Sequence, residues 1–291
     1  MKLGKVDFSF RTSVLFWVGL ALLLILSLTA LVTTVSFAPD KAELTRGVVS
    51  DAGSVVFGFL AAAFLFYAAS RFAPKSSLRR VWQLLGIGIG LRAVGDVVWI
   101  ALEVGARFKS VPYPSAADVF YVAMYVFMAA GLIRAAWAFG RATYAEGAVR
   151  FDIIAMFLVA VGVYTFVIAP ILVDGSSTLP MKVLGAAYPI GDIVLLMGPA
   201  LFIAVVASCI GRCEPAWHWW ALSIGVAVMS LADILFTWLD WTGRYASGNP
   251  VDYLWMLSLL MIAVAGSLSA DTCAVHVTEA VPVRKRSFAT A

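Results

Sequence analysis

Residues 82–108 read WQLLGIGIGLRAVGDVVWIALEVGARF, and residues 219–245 read WWALSIGVAVMSLADILFTWLDWTGRY. The two stretches lie 137 positions apart and align without a gap. Trp82 falls on Trp219, Leu85 on Leu222, Ile87 on Ile224, Gly88 on Gly225, Asp96 on Asp233, Glu103 on Asp240, Arg107 on Arg244 and Phe108 on Tyr245. Such self-similarity marks an internal repeat. Each copy also holds about twenty mostly apolar residues, the length that crosses a bilayer as an α-helix.

The rest of the chain has the same character. Of 291 residues, 62% are hydrophobic and 13% charged, where a soluble domain averages about 45–50% apolar and about 25% charged. One soluble core cannot absorb that much apolar surface, so the chain is a membrane protein whose first partner is the lipid bilayer. Disordered, collagen-like and disulfide-stapled classes are excluded by the same figures. Eight stretches can span: about 13–36, 50–73, 82–104, 116–139, 151–173, 187–210, 217–239 and 251–270. Helices satisfy every backbone polar group within hydrocarbon, and the alternating ten-residue segments of membrane strands are absent. The expected fold is all-α: a polytopic bundle of eight transmembrane helices forming one domain over residues 1–270. A polar tail follows over 271–291. The run from Ser13 to Val35 exceeds the roughly 7–15 apolar residues of a signal-peptide core, so it reads as a retained first span.

Basic residues set orientation. Lys2, Lys5, Arg11, Arg71, Lys75, Arg79, Arg80, Arg134, Arg141, Arg150, Arg212, Arg284, Lys285 and Arg286 fall on one side. Lys41, Arg46, Arg107, Lys109, Lys182 and Arg244 form the smaller opposite set. Both termini are therefore expected in the cytoplasm, in a multi-pass arrangement in a bacterial inner membrane. Tryptophans such as Trp82, Trp137 and Trp217 fall near the inner interface, and Trp99, Trp238, Trp241 and Trp255 near the outer one, as amphipathic rings do; packing explains some of them equally well. No basic stripe with interleaved aromatics is long enough to track a phosphate backbone, so nucleic acid is not an expected partner.

The even-numbered helices share an opening. Tyr113-Pro114-Ser115-Ala116-Ala117-Asp118, Tyr188-Pro189-Ile190-Gly191-Asp192 and Asn249-Pro250-Val251-Asp252 each place proline before an acid, and Ser50-Asp51-Ala52-Gly53 is a degenerate form. The simplest account is four helical hairpins repeated in one orientation. Proline suits a first helical turn, an acid there complements the helix dipole, and Ser115 with Asp118 has the spacing of a capping box. Asp118, Asp192 and Asp252 are therefore either caps or the rim of an acidic outer vestibule.

These motifs carry a resemblance. Pro114 to Tyr121 in the pattern Pro-x-x-x-Asp-x-Phe-Tyr, Tyr188-Pro189-x-Gly191-Asp192, Ala232-Asp233 and Asn249-Pro250-x-Asp252 resemble the multi-span sensory region of certain bacterial signalling proteins. In those proteins a GGDEF diguanylate cyclase, an EAL phosphodiesterase or a kinase follows the last helix. The likeness covers about residues 80–270. No GGDEF or EAL string occurs in the chain, so the likeness implies either a stand-alone sensor-like protein or a membrane region separated from its effector, with a cytoplasmic or membrane signalling partner, and the enzymatic activity of those proteins does not carry over.

Ionisable residues inside spans are the functional candidates. Arg92 and Asp96 stand one turn apart and can pair on one helix face; Asp233 matches Asp96 in depth, with Met229 at the arginine's position. They are either structural or the lining of one polar cavity for a small polar ligand, a proton or a cation, with Trp99, Tyr121 and Trp238 as its walls. Gly86 and Gly90 form a small-xxx-small packing pair. Pro170 and Pro199 imply kinks. Cys209, Cys213, His218, Cys273 and His276 lie toward the inner side and are weak metal ligands at best: Cys-x3-Cys is no usual zinc spacing, and cysteine is often a small buried hydrophobe. No cofactor is expected, since neither histidine lies mid-span for haem, no lysine lies mid-span for retinal, and no P-loop occurs. Paired aspartates also serve aspartyl proteases, but Gly95-Asp96-Val97 and Ala232-Asp233-Ile234 lack the Gly-x-Gly-Asp form of the intramembrane class. Three functions remain: a non-enzymatic sensor or interaction module; a transporter or channel using Asp96 and Asp233; or an accessory subunit of a membrane complex. The Arg79-Arg80 loop and Arg284-Lys285-Arg286 could meet a partner or anionic lipid.

Overall fold

Proline and capping residues, more than hydropathy, decide where the helices begin. The structure is a computed structural model that describes residues 9–106, 111, 113–142, 146–210 and 217–279; side chains at 39–40, 139–142, 146–149, 207–210 and 273–279 are outside the description. Helix α1, Phe10–Ser36, opens at Ser9, whose hydroxyl accepts from the Thr12 amide at 3.2 Å. Pro39 then starts α2, Pro39–Arg71, holding Ala38 extended at ψ 147°, because the residue before proline avoids helical backbone. Helix α3 is Ser77–Gly105 and α4 is Ala117–Ala142. Span α5 comprises Glu146–Val163, a π-helical turn Tyr164–Ile168 and a last turn Ala169–Val173. Span α6 comprises Leu179–Gly191, a π-helical turn Asp192–Met197 and Gly198–Ile210. Helix α7 is Trp217–Trp241 and α8 is Pro250–Glu279. These eight helices are long and apolar enough to cross a membrane, and no strand occurs among the described residues. The architecture is that of a multi-pass helical membrane protein.

Three boundaries differ from the sequence expectation. Helix α2 starts at Pro39, not near residue 50, so Ser50-Asp51 lies three turns inside it. Span α6 starts at Leu179, with Pro180 in its first turn, so Tyr188-Pro189-x-Gly191-Asp192 is no helix opening but lies mid-span. Helix α2 runs past its apolar length through polar turns, and α6 runs back through Pro189, which the helix accommodates in its interior. The last helix continues to Glu279, into the predicted tail; Arg284, Lys285 and Arg286, like Lys2, Lys5, Arg107, Lys109 and Arg212, lie outside the described residues.

Six helices close a ring. Helix α2 packs on α3, α3 on α4, α4 on α6, α6 on α7, α7 on α8, and α8 back on α2. Helix α1 lies outside against α2 and α8, and α5 lies outside against α6. The outer helices keep apolar faces open to lipid: Phe157 is 64% and Phe166 74% exposed. Close approach around the ring needs glycine. A Cβ at Gly88 would stand 2.7 Å from Met128 and 3.2 Å from the Met124 carbonyl on α4; one at Gly225 would stand 2.8 Å from Ile262 and 3.0 Å from the Ser258 carbonyl on α8. Gly86 and Gly90 face Phe66 and Ala62 on α2, the packing role expected of them. The predicted breaks at Pro170 and Pro199 take the form of π-helical turns that end just before each proline, where the missing N–H frees a carbonyl of the preceding turn.

One end of the ring is dry. There Trp82 and Trp219 stack with ring centroids 5.3 Å apart, over a core that includes Leu85, Ile89, Leu222 and Met229. The other end, which carries the α3–α4 and α7–α8 connections, is polar.

Candidate functional site

Five aspartates toward the polar end are held by aromatic donors. The Tyr121 hydroxyl donates to Asp96 Oδ1 at 3.0 Å, and Trp255 Nε1 donates to Asp233 Oδ1 at 2.7 Å. In both cases the donor belongs to the next helix, α4 for α3 and α8 for α7. Tyr188 donates to Asp118 Oδ1 at 2.5 Å, and Tyr245 to Asp252 Oδ1 at 3.1 Å. Tyr125 donates to Asp192 Oδ1 at 2.8 Å. A hydrogen bond to a carboxylate is stronger than a neutral one and fixes the group's orientation.

Asp118 and Asp252 are also caps. Ser115 Oγ accepts from the Ala117 amide at 3.2 Å, while Asp118 Oδ2 accepts from the Ser115 amide at 2.6 Å. Asn249 Oδ1 accepts from the Val251 amide at 3.2 Å, and Asp252 Oδ2 from the Gly248 amide at 2.7 Å. The first is a reciprocal capping box; in the second Asp252 reaches one residue further back, to Gly248, and capping and vestibule readings hold together for both acids. Neither describes Asp192. It sits fully buried in the π-helical turn of α6, behind the wall residue Tyr125.

Between these groups lies a cavity of about 90 Å³, room for roughly three waters at about 30 Å³ each. Arg92, Asp96, Asp233, Asp118 and Asp252 line it, as do Trp99 and Tyr121. Helices α3 and α7 thus present their aligned aspartates to one space. The sequence had not pointed to Asp51, Tyr113, Tyr125, Tyr188, Tyr245 or Trp255 as walls, nor to Phe236. Glu103, 7% exposed, stands close by and accepts from the Ser247 hydroxyl.

Two expectations are corrected. Trp238 is not on the cavity wall. It packs with Ile234 and Trp241 against Val163, Val167 and Ile193 of α5 and α6, with the Arg244 guanidinium 5.6 Å from its ring. Trp255, one helix over, takes the wall position. Arg92 and Asp96 do share a helix face, but no ion pair within 4.0 Å joins Arg92 to Asp96 or Asp233. The guanidinium instead lies over the rings of Tyr121, at 5.7 Å, and Trp255, at 5.4 Å, a cation–π arrangement. Its Nε has no hydrogen-bond partner, and neither has Asp96 Oδ2.

Around the rim, burial first and then the Asp252 carboxylate push the Tyr245 hydroxyl well above its ordinary pKa, and burial with Asp118 does the same for Tyr113. Both stay neutral. On the α5–α6 connection, Asp174 is held below the usual carboxylate range by the Ser176 amide and hydroxyl, then by Ser177 and Trp241.

Among the described residues, no three His, Cys, Asp or Glu side chains converge as a metal requires. His218 packs beside Trp82 and Trp219, at 6.3 and 5.1 Å between ring centroids. Cys213 and the side chains of Cys209, Cys273 and His276 lie outside the described residues. Comparison with protein families, curated proteins and solved structures returns no match to this chain.

Proposed function

We propose that the protein is a non-enzymatic membrane sensor or interaction module that binds a small polar solute within its helical ring. The observation that carries this reading is the shared cavity: Asp96 and Asp233 face one space with the Arg92 side chain among them. Ionisable groups are costly at membrane depth and persist where a function needs them.

The ring's order supports an origin by duplication. Helices α3 and α7 align at an offset of 137 residues, and they stand opposite one another in the ring. At an offset of 134, Tyr121 falls on Trp255, Asp118 on Asp252 and Met128 on Ile262. The aligned pairs make the same contacts: each aspartate is held by the next helix, and each glycine approaches the next helix. The reading is of two like four-helix units around a common axis, with Trp82 and Trp219 meeting on it. By the basic-residue distribution, the cavity faces the exterior of a bacterial inner membrane and both termini the cytoplasm. The motifs shared with sensory regions of GGDEF, EAL and kinase proteins support the role, since Asp118, Tyr121, Tyr188, Asp233 and Asp252 all line the cavity. A solute that changed the spacing of α3 and α7 would alter their stacked tryptophans at the far end and so reach a signalling partner.

The test is solute-induced stabilisation of the full chain in lipid nanodiscs. Binding of a polar solute raises the unfolding temperature of the parent and not of an Asp96→Asn/Asp233→Asn double variant. A response that is identical in both proteins contradicts the reading.

One observation favours a second reading, secondary transport. Spans α5 and α6 each contain a π-helical turn, and Asp192 opens the second of them. Such turns are frequent at functional sites. Uptake of a stabilising solute into proteoliposomes, lost in the double variant, would establish transport; binding without uptake leaves the sensor.

A further inference from the structure

We infer that the cavity takes a zwitterion, a small molecule with a carboxylate at one end and an ammonium group at the other, of the amino-acid or betaine class. This rests on the binding reading above and narrows it to a kind of ligand.

Two unmet groups point to it. Arg92 is only 6% exposed, its Nε lacks a partner, and no carboxylate lies within ion-pair distance. It lies over the rings of Tyr121 and Trp255, which accept no hydrogen bond from it in the plane of the fork. What remains for a ligand is its donor edge, the fork that matches a planar oxyanion. Asp96 is 7% exposed; Oδ1 is taken by Tyr121, while Oδ2 has no partner. It lacks a donor. Both residues line the cavity. Buried polar groups are satisfied with few exceptions, and the wall also carries a third orphan, Asp51 Oδ2; one unmet donor among unmet carboxylate oxygens calls for a common explanation.

Simpler ligands meet only half of the need. A monatomic or purely organic cation would serve Asp96 and Asp233 but leave the guanidinium unmet and repelled. A plain anion would serve Arg92 and face Asp118 and Asp252 across the cavity. A zwitterion serves both: its carboxylate on the Arg92 edge, its ammonium toward Asp96 and Asp233, its carbon skeleton against Trp99 and Phe236. The sequence adds a reason for polarity. Arg92 aligns with Met229, so an otherwise two-fold pair of aspartates carries one guanidinium. A site of that kind holds a ligand with unlike ends in one orientation.

The test is calorimetric titration of the full chain in nanodiscs. The zwitterions are glycine, L-alanine, 4-aminobutyrate and glycine betaine. The single-charge counterparts are propylamine, tetramethylammonium and propionate. At least one zwitterion is expected to bind tenfold or more tighter than any single-charge compound, as hydrogen bonds to a charged partner are worth roughly tenfold to a hundredfold. Arg92→Gln and Arg92→Lys should both weaken the zwitterion and spare propylamine, because lysine keeps the charge and loses the fork. Propylamine or propionate binding as tightly as every zwitterion overturns the ligand class and leaves the binding reading in place. Failure of the folded parent to bind any of the seven overturns both. The comparison among ligands needs no variant, so a variant that fails to fold does not remove the test.

Discussion

Tyr121 and Trp255 are the residues on which the cavity's geometry depends. Each spends its one strong donor on an aspartate of the preceding helix and lays its ring beside Arg92. Tyr121→Phe keeps the ring and removes the donor, leaving Asp96 with neither oxygen satisfied. Orphaning a buried acceptor costs about 1–3 kcal/mol, and unfolding in mixed micelles should show a loss of that size. Trp255→Phe should cost a similar amount through Asp233. Tyr188→Phe tests a different role: Asp118 retains the Ser115 amide, so its loss should be smaller. Of these residues the sequence exposed Asp96, Asp233 and Tyr121, because an ionisable group in an apolar span stands out and a repeat doubles the signal. Trp255 was hidden, since a tryptophan near a helix end reads equally well as an interfacial anchor. Trp238 was misplaced for the same reason: its sequence position gives depth in the membrane but not the direction it faces around α7.

Helix ends and close approaches are decided by individual glycines and prolines. Gly88→Ala and Gly225→Ala would each press a methyl group against a neighbouring helix whose backbone lies within 3.2 Å. Overpacking of this kind costs about 1–3 kcal/mol, and a matched loss at both positions is expected because the two contacts correspond. Gly162→Ala meets nothing within 4 Å and, lying inside α5, should raise stability by up to about 1 kcal/mol, a control of opposite sign measured in the same assay. The α5–α6 connection supplies a pH dependence. The native pKa of Asp174 lies below the unfolded value of about 3.9, so its contribution is present above that value and is lost as the pH falls through and below it. The stability difference between the parent and Asp174→Asn should therefore be constant from about pH 8 to pH 5 and shrink below about pH 4. Apolar runs revealed that each of the eight helices exists. They could not show that α2 begins at Pro39, because its added turns are polar and hydropathy is silent there, or that α6 begins at Leu179, because Pro189 reads as a helix start. The Pro-Asp pairs misled at α6: Pro189 is tolerated inside the helix, next to a π-helical turn that loosens the bonding pattern.

The ring is a property of the whole molecule, and no local pattern in the sequence encodes which helices meet. That α2 closes on α8 and α4 on α6 emerges only from packing between residues far apart in the chain. The offset between α3 and α7 hinted at it, since two like units around one axis bring their equivalent helices face to face. Trp82 and Trp219 meet in that way at the dry end, and the Asp96 and Asp233 walls at the polar end. Replacing the two tryptophans by leucine opens space in the dry end without touching the polar groups, and should lower stability while leaving the ligand preference intact. The most direct test of a shared chamber is a double-mutant cycle of Asp96→Asn and Asp233→Asn, read as unfolding free energy in mixed micelles. Two carboxylates facing one space and one guanidinium should show a coupling of about 0.5–3 kcal/mol. Effects that add to within about 0.5 kcal/mol would mean that the two aspartates act in separate surroundings, and would contradict the account.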